Sequence, residues 1–354
     1  MKVKEVKRET NECVSVALDL PNDLQSLFVF NPGQHLIFRS RRDNGEEIRR
    51  NYSICSCPSD NELRVAVKKI DGGYFSSLIN ERIGVGDELE VMAPQGNFVA
   101  IPNRNNQKNY VAIAAGSGIT PIISILKSVL REEPKSRVTL IFGNRNKGSI
   151  IFKEEIEGLK NRYMDRLSVF HVLSREKADA EILSGRIDRQ KTALFLKQLI
   201  HPATVDEVFL CGPEEMIFES REAFLDAGLD PNKIHFELFY SAGAEERRAE
   251  RERASAINKG PISRVRLKTD GITLEFDLPY EGDSILDAAL KNGADLPFAC
   301  KGGVCATCKC KLEEGEVVMD VNYALEPDEL ERGFILSCQS HPITPNVAVN
   351  YDIK

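Results

Sequence analysis

Ala299-Cys300-Lys301-Gly302-Gly303-Val304-Cys305-Ala306-Thr307-Cys308, with a further cysteine at Cys338, decides the reading of the whole chain. The spacing is C-x4-C-x2-C and then one distant thiol, the ligand pattern of a [2Fe-2S] cluster. Two irons need four converging thiolates, and here Cys300, Cys305 and Cys308 come from one tight loop and Cys338 from elsewhere. Gly302 and Gly303 are expected to give that loop backbone freedom and to bring its amides close to sulfur. Zinc is the alternative, but zinc sites usually pair one C-x2-4-C with a second closely spaced ligand pair. Cys338 stands alone, and the loop holds no histidine. Cys310 is read as a strand residue and not as a ligand.

The chain has 354 residues, of which 42% are apolar and 29% charged, enough for two or three domains with full cores. No apolar run has the length of a membrane span, and the start of the chain lacks the apolar core of a signal peptide. Nine cysteines, several of them ligand-like, fit a reducing cytoplasm. The net charge of −7 is unevenly placed: residues 261–354 hold 9 Lys+Arg against 16 Asp+Glu, and the remainder balances. An acidic surface repels nucleic acid and steers basic partners, so neither nucleic acid nor membrane is an expected partner.

Working outward, residues 2 to about 102 read as short strands punctuated by Asn31-Pro32-Gly33, Asp43-Asn44-Gly45, Asp71-Gly72-Gly73 and Pro94-Gln95-Gly96, which predicts an antiparallel β-barrel. Val14–Leu18 and Leu63–Val67 alternate. Within this region lies Arg50-Asn51-Tyr52-Ser53: an arginine fork suited to pyrophosphate, a flat ring, and a hydroxyl. The same residues also suit an ordinary barrel strand. A polar connector, Asn103–Lys108, follows, and the pattern changes to alternating strands and helices, an α/β doubly wound sheet. Apolar strands are predicted at Tyr110–Ala115, Val138–Phe142, Leu167–Leu173, Val208–Cys211 and Ile234–Phe239. Gly116-Ser117-Gly118-Ile119-Thr120-Pro121 links the first strand to a helix, with Thr120 as the expected cap and Pro121 at the first helical position. Such a turn either receives a phosphate or merely packs tightly. Cys211-Gly212-Pro213 ends another strand at the edge where ligands bind in these sheets, although a free cysteine is more often a small buried hydrophobe. Ser174-Arg175 follows a third strand and either pairs with a ribose phosphate or is solvated. Residues 241–260 lack an apolar stripe and read as a linker. A hairpin over Val265–Leu278 and a helix capped by Ser284 then lead into the cysteine loop.

In combination, Arg50-x-Tyr52-Ser53, Gly116–Pro121 and Cys211-Gly212-Pro213 resemble the ferredoxin–NADP reductase superfamily, here with a plant-type ferredoxin at the C-terminus. The resemblance covers nearly the whole chain. It implies an FAD-binding barrel over 1–103, an NAD(P)H-binding α/β domain over 104–240, a linker over 241–260 and an α+β (β-grasp) ferredoxin domain over 261–354. By resemblance Arg50 meets the flavin pyrophosphate, Tyr52 stacks on the ring system and Ser53 lies near its N5. Ala66, Val67, Lys68, Gly73 and Ser76 form a second flavin segment. Gly116, Ser117, Gly118, Thr120 and Pro121 hold the dinucleotide, and Cys211, Gly212 and Pro213 lie by the nicotinamide. Asn144, Arg145, Ser174 and Arg175 serve the adenosine end, with NADPH expected and NADH the alternative. Glu237 lies near the flavin, and Ser53, Cys211 and Glu237 are the catalytic candidates. In simple reductases an aromatic chain end covers the flavin; here the chain continues, and Phe239 and Tyr240 are the candidates for that place. The implied path runs from NADPH to FAD to [2Fe-2S] to the di-iron oxygenase component of a multisubunit complex. The alternatives are the same path into another oxygenase or a hybrid-cluster protein, a non-enzymatic electron carrier, and a zinc-stabilised scaffold.

Overall fold

The computed structural model describes residues 1–42, 44–45, 47–178, 180–239 and 260–353. The linker expected over 241–260 lies outside these residues except for Gly260, as does Tyr240. Two compact units result, Met1–Glu237 and Leu238–Lys354.

The first unit opens with two three-stranded antiparallel sheets. Lys2–Thr10, Cys13–Asp19 and Leu63–Lys68 form one, and Glu47–Ser53, His35–Arg41 and Glu90–Val91 form the other. Bridges Lys2↔Glu88 and Ile54↔Val65 join their edges into a barrel-like wall. Its core contains Val14, Val16, Leu36, Phe38, Ile54, Val65, Val67 and Phe75. The alternation at Val14–Leu18 predicts one solvent face, yet Ser15 and Ala17 are buried too. The strand is central, and long side chains from its neighbours cover it. Ser15 Oγ donates to Glu9 at 2.7 Å and accepts from Arg64 Nη1 at 3.0 Å.

The second half of this unit is a five-stranded sheet in the order Ile234–Leu238, Glu207–Gly212, Asn109–Ala115, Arg137–Asn144, Leu167–Leu173. The strand met first in sequence lies in the middle, with later strands added on one side and then on the other. The order therefore reverses between Asn109–Ala115 and Glu207–Gly212, which run parallel. Ligands bind at the carboxyl ends of strands beside such a switch. There Gly116–Gly118 makes one 3-10 turn that runs straight into the helix Ile119–Glu132. Thr120 is accordingly inside the first turn and not its cap; its hydroxyl donates back to the Ser117 carbonyl at 3.0 Å. The polar connector is pinned. Fully buried Glu133 accepts from the Asn103 amide at 2.9 Å, Asn106 Nδ2 at 2.7 Å, and the Tyr110 and Ser136 hydroxyls.

The second unit is a β-grasp. Its sheet runs Ile272–Pro279, Ile262–Thr269, Asn346–Asn350, Lys309–Glu314, Phe334–Leu336, with a parallel central pair and antiparallel neighbours. Asp270 and Gly271 turn the first hairpin with positive φ at both positions, the geometry that matches strand twist. The helix Ile285–Lys291 packs Ile285, Leu286, Ala288 and Ala289 onto this sheet. Ser284 caps it as expected, accepting from the Asp287 amide.

Candidate redox centres

The loop after Phe298 carries no regular element, and its shape comes from backbone strain. Gly303 has φ +77°, and a Cβ there would meet Val321 Cγ2 at 2.9 Å. Gly302 does not take a positive φ; Lys301 (+50°) and Ala306 (+52°) do. The expected freedom thus falls on Gly303 and on two non-glycine residues, a cost that folds tolerate mainly at functional sites. Lys301 is braced by Asp287 at 2.6 Å and lies 4.6 Å from the Phe298 ring centre. The thiols meet in two pairs: Cys300 with Cys305, and Cys308 with Cys338. The Gly302 amide donates to Cys300 Sγ at 3.3 Å, and Gln339 Nε2 to Cys338 Sγ at 3.5 Å. Two thiols for each of two metals, with N–H donors on sulfur, is the donor set a [2Fe-2S] cluster requires. Cys310 lies on the strand Lys309–Glu314, fully buried, where burial pushes its thiol well above the ordinary range.

In the barrel, Tyr52 stacks against Phe75 with ring centres 5.6 Å apart, and Phe38 meets it edge-on at 5.9 Å. A flat, fixed phenol ring therefore stands at the strand end. Arg50 is exposed, with Nη1 donating to the Arg49 carbonyl at 2.8 Å. Ala66, Val67 and Lys68 end the adjoining strand. Gly73 precedes the helix Tyr74–Glu81, where a Cβ would meet Ser76 Oγ at 2.6 Å. Ser76 Oγ accepts from the Ile70 amide at 3.1 Å and shapes this turn. Glycine at a helix start leaves amides approachable by phosphate.

The flavin and nicotinamide candidates converge. Ser53 Oγ donates to Glu237 Oε2 at 3.2 Å, and both residues are buried. Glu237 Oε1 lies 3.5 Å from His35 Nδ1. His35 is 2% exposed, and neither ring nitrogen has a hydrogen-bond partner among the described residues. Its ring fits under Gly96, where a Cβ would come within 2.9 Å of Nδ1. The sequence reading missed His35 as a site residue, since no local pattern marks a histidine for burial. Cys211 is wholly buried; burial first and the Glu237 charge second push its thiol well up, so it remains neutral. Gly118 lies so close to this strand that a Cβ would fall 2.0 Å from the Cys211 carbonyl oxygen. A Cβ on Gly116 (φ +55°) would be 3.9 Å from Lys68 Nζ, so the turn Gly116–Gly118 abuts the end of the strand Leu63–Lys68. Gly212 packs against the end of the Met216 side chain and Ala115, where a Cβ would come within 2.7 and 3.2 Å, ahead of Pro213 at the helix start.

The Ser174 and Arg175 amides, candidates for the adenosine end, bond to the carbonyls of Asn144 and Arg145 at 2.9 and 2.8 Å. This brings the two dipeptides together at adjacent strand ends. Both polar atoms of the buried Asn144 side chain lack a hydrogen-bond partner among the described residues. Arg145 is half-exposed, 3.7 Å from Glu12. Phe239 is half-buried.

These features define a class: a flavin- and nicotinamide-binding oxidoreductase joined to a β-grasp iron–sulfur module. Comparison with known proteins supplies the family. Residues 1–99 match the oxidoreductase FAD-binding domain, 112–222 the oxidoreductase NAD-binding domain and 267–342 the 2Fe-2S iron-sulfur cluster binding domain. The chain is 44% identical to the E component of the 1,2-phenylacetyl-CoA epoxidase of Escherichia coli K12, over 99% of this chain and 97% of that one. It is 35% identical to the ferredoxin reductase component of 3-ketosteroid-9-alpha-monooxygenase from Mycobacterium tuberculosis, over 99% and 95%. The solved structure of phthalate dioxygenase reductase superposes with a TM-score of 0.59 at 23% identity, covering 99% and 96%, and shares the fold. The chain belongs to the family of FAD- and [2Fe-2S]-containing oxygenase reductases that includes the epoxidase E component. It is an electron-transfer enzyme that draws on NAD(P)H. No helix among the described residues is long and apolar enough to cross a membrane.

Proposed function

We propose that this chain is the NADPH-dependent reductase of a phenylacetyl-CoA epoxidase complex, feeding electrons to its di-iron oxygenase component in the cytoplasm. The observation that carries this reading is the likeness to the epoxidase E component, which runs through all three modules over nearly the full length of both chains. Bound FAD supplies the conversion of a two-electron hydride donor into single electrons that an iron–sulfur cluster can accept.

The chain's own residues supply the rest. Tyr52, held by Phe75 and Phe38, offers a fixed stacking face. Ser53 presents a hydroxyl whose proton is held by Glu237, and His35 backs that carboxylate. Cys211 stays an uncharged thiol beside the place of the nicotinamide, so it fills that place without presenting a charge to the ring. Gly116 lets backbone approach the dinucleotide closely, and Gly118 lets the turn pack against the Cys211 strand. Ser174 and Arg175 favour the 2′-phosphate of NADPH. Cys300, Cys305, Cys308 and Cys338 hold the cluster.

Reconstitution tests the assignment. The purified chain with the oxygenase components of the epoxidase should consume NADPH and phenylacetyl-CoA together. The likeness to the steroid monooxygenase component favours, as a second reading, the same path into another oxygenase. No turnover with the epoxidase, alongside full NADPH-to-dye activity, would select it.

A further inference from the structure

The fourth thiol, Cys338, reaches the site from 30 positions beyond Cys308, so chain connectivity alone cannot set their separation. The strands that lead to them pair only as far as Lys309↔Leu336. One step further the ladder stops, and Cys308 stands beside Ser337. There the Ser337 amide donates to the Cys308 carbonyl at 3.2 Å, and Ser337 Oγ donates to the same oxygen at 2.9 Å. Tyr351 Oη donates in turn to Ser337 Oγ at 2.5 Å. Ser337 is 0% and Tyr351 8% exposed, so water does not compete for these bonds. On the other side of Cys338, Gln339 Nε2 donates to the Cys338 carbonyl at 2.9 Å and the Lys301 carbonyl at 3.0 Å. The tyrosine itself comes just after the strand Asn346–Asn350, near the end of the chain.

We infer that Ser337 and Tyr351 are positioning residues for one half of the cluster site: the buried chain Tyr351–Ser337–Cys308 presets the Cys308/Cys338 thiol pair for its iron. The inference rests on the reading of the four cysteines as cluster ligands. A hydroxyl that accepts one hydrogen bond becomes a better donor in the next, so Tyr351 strengthens the Ser337 contact with Cys308. The pair Cys300/Cys305 lies in the strained loop, where the Thr307 hydroxyl donates to the Cys305 carbonyl at 3.5 Å. Because the Tyr351–Ser337 chain bonds directly to Cys308, removing it loosens the Cys308/Cys338 half first.

The test compares Tyr351→Phe, which keeps the packed ring, with Ser337→Ala in the full-length holoprotein. Loss of cluster absorbance under an iron chelator should be about fivefold faster in Ser337→Ala, as for one lost hydrogen bond, and faster by less in Tyr351→Phe. The electron paramagnetic resonance signal of the reduced cluster should shift in both. In the apoprotein, peptide-mapped alkylation of Cys308 and Cys338 should accelerate, with Cys300 and Cys305 unchanged. Equal acceleration of all four thiols, or none, overturns the inference, as does a wild-type chelator rate in both variants. If Ser337→Ala does not fold, Tyr351→Phe decides alone by the same readouts. Full iron in Cys338→Ser would instead overturn the ligand reading; the alkylation asymmetry still reports on the Tyr351–Ser337 chain.

Discussion

Asp60→Asn is the most informative single change in the first unit. Asp60 lies on a barrel loop, yet its carboxylate reaches Lys127 Nζ at 2.5 Å and Arg131 Nη1 at 2.5 Å on the helix Ile119–Glu132. Lys127 continues to Glu155 at 2.7 Å. Burial alone would raise the Asp60 pKa, but Lys127, the Cys57 amide and Arg131 outweigh it and bring it from 3.8 down to about 2. At roughly 1.4 kcal/mol per pH unit, that depression is an upper bound of about 2.5 kcal/mol. Partial exposure of Arg131 screens it to about 1–2 kcal/mol. Because the folded value is depressed, this stability is present above the unfolded value and lost as pH falls through about 2. At neutral pH Asp60→Asn should lower the melting midpoint of the flavin-bearing unit by about 3–6 °C, read by flavin fluorescence. The gap between wild type and variant should narrow between pH 4 and 2. The latch also joins the barrel to the nicotinamide sheet, so flavin reduction by NADPH should slow. An unchanged midpoint at pH 7, or a gap constant down to pH 2, would refute the reasoning.

Three further outcomes are expected. Cys305→Ser should lose the cluster and its visible absorbance yet keep FAD and its reduction by NADPH; iron analysis with stopped-flow spectra checks both. Arg175→Ala should narrow the preference for NADPH over NADH through loss of a charge-assisted phosphate contact, with kcat/KM for each coenzyme as the measure; equal wild-type efficiencies would contradict it. Electron delivery to the oxygenase should slow as ionic strength rises, and slow again when Glu313, Glu314 and Glu316 are neutralised together, with the cluster intact. Glu314 is already paired with Arg266 at 3.0 Å, so the effect should come mainly from its neighbours.

The parts of the fold that were legible in sequence are those written locally. The strand pattern from Asn109 to Leu238, the Ser284 cap and the cysteine spacing each depend on residues a few positions apart. The Gly118 requirement was visible only as a glycine; the Cys211 carbonyl that enforces it is 93 residues away. Thr120-Pro121 looked like a helix start because cap chemistry matches there, but the preceding turn winds into the helix without a break. Gly302 drew the expected freedom that Lys301 and Ala306 in fact carry, since non-glycine residues are held in that conformation only by surroundings that a sequence does not display. His35, the Asp60 latch and the Ser337–Tyr351 chain all pair residues from separate elements, where no spacing rule reaches.

The pin at Glu133 has an evolutionary consequence. One buried carboxylate gathers the connector Asn103–Lys108, the first sheet strand through Tyr110, and the turn at Ser136. A recombination break within that connector would strip the Asn103 and Asn106 hydrogen bonds from a buried side chain, which is costlier than cutting a solvated tether. Selection should therefore pass barrel and nicotinamide sheet between lineages as one cassette. Gene fusion and loss should act at the cassette's outer borders, exchanging the electron carrier attached to it.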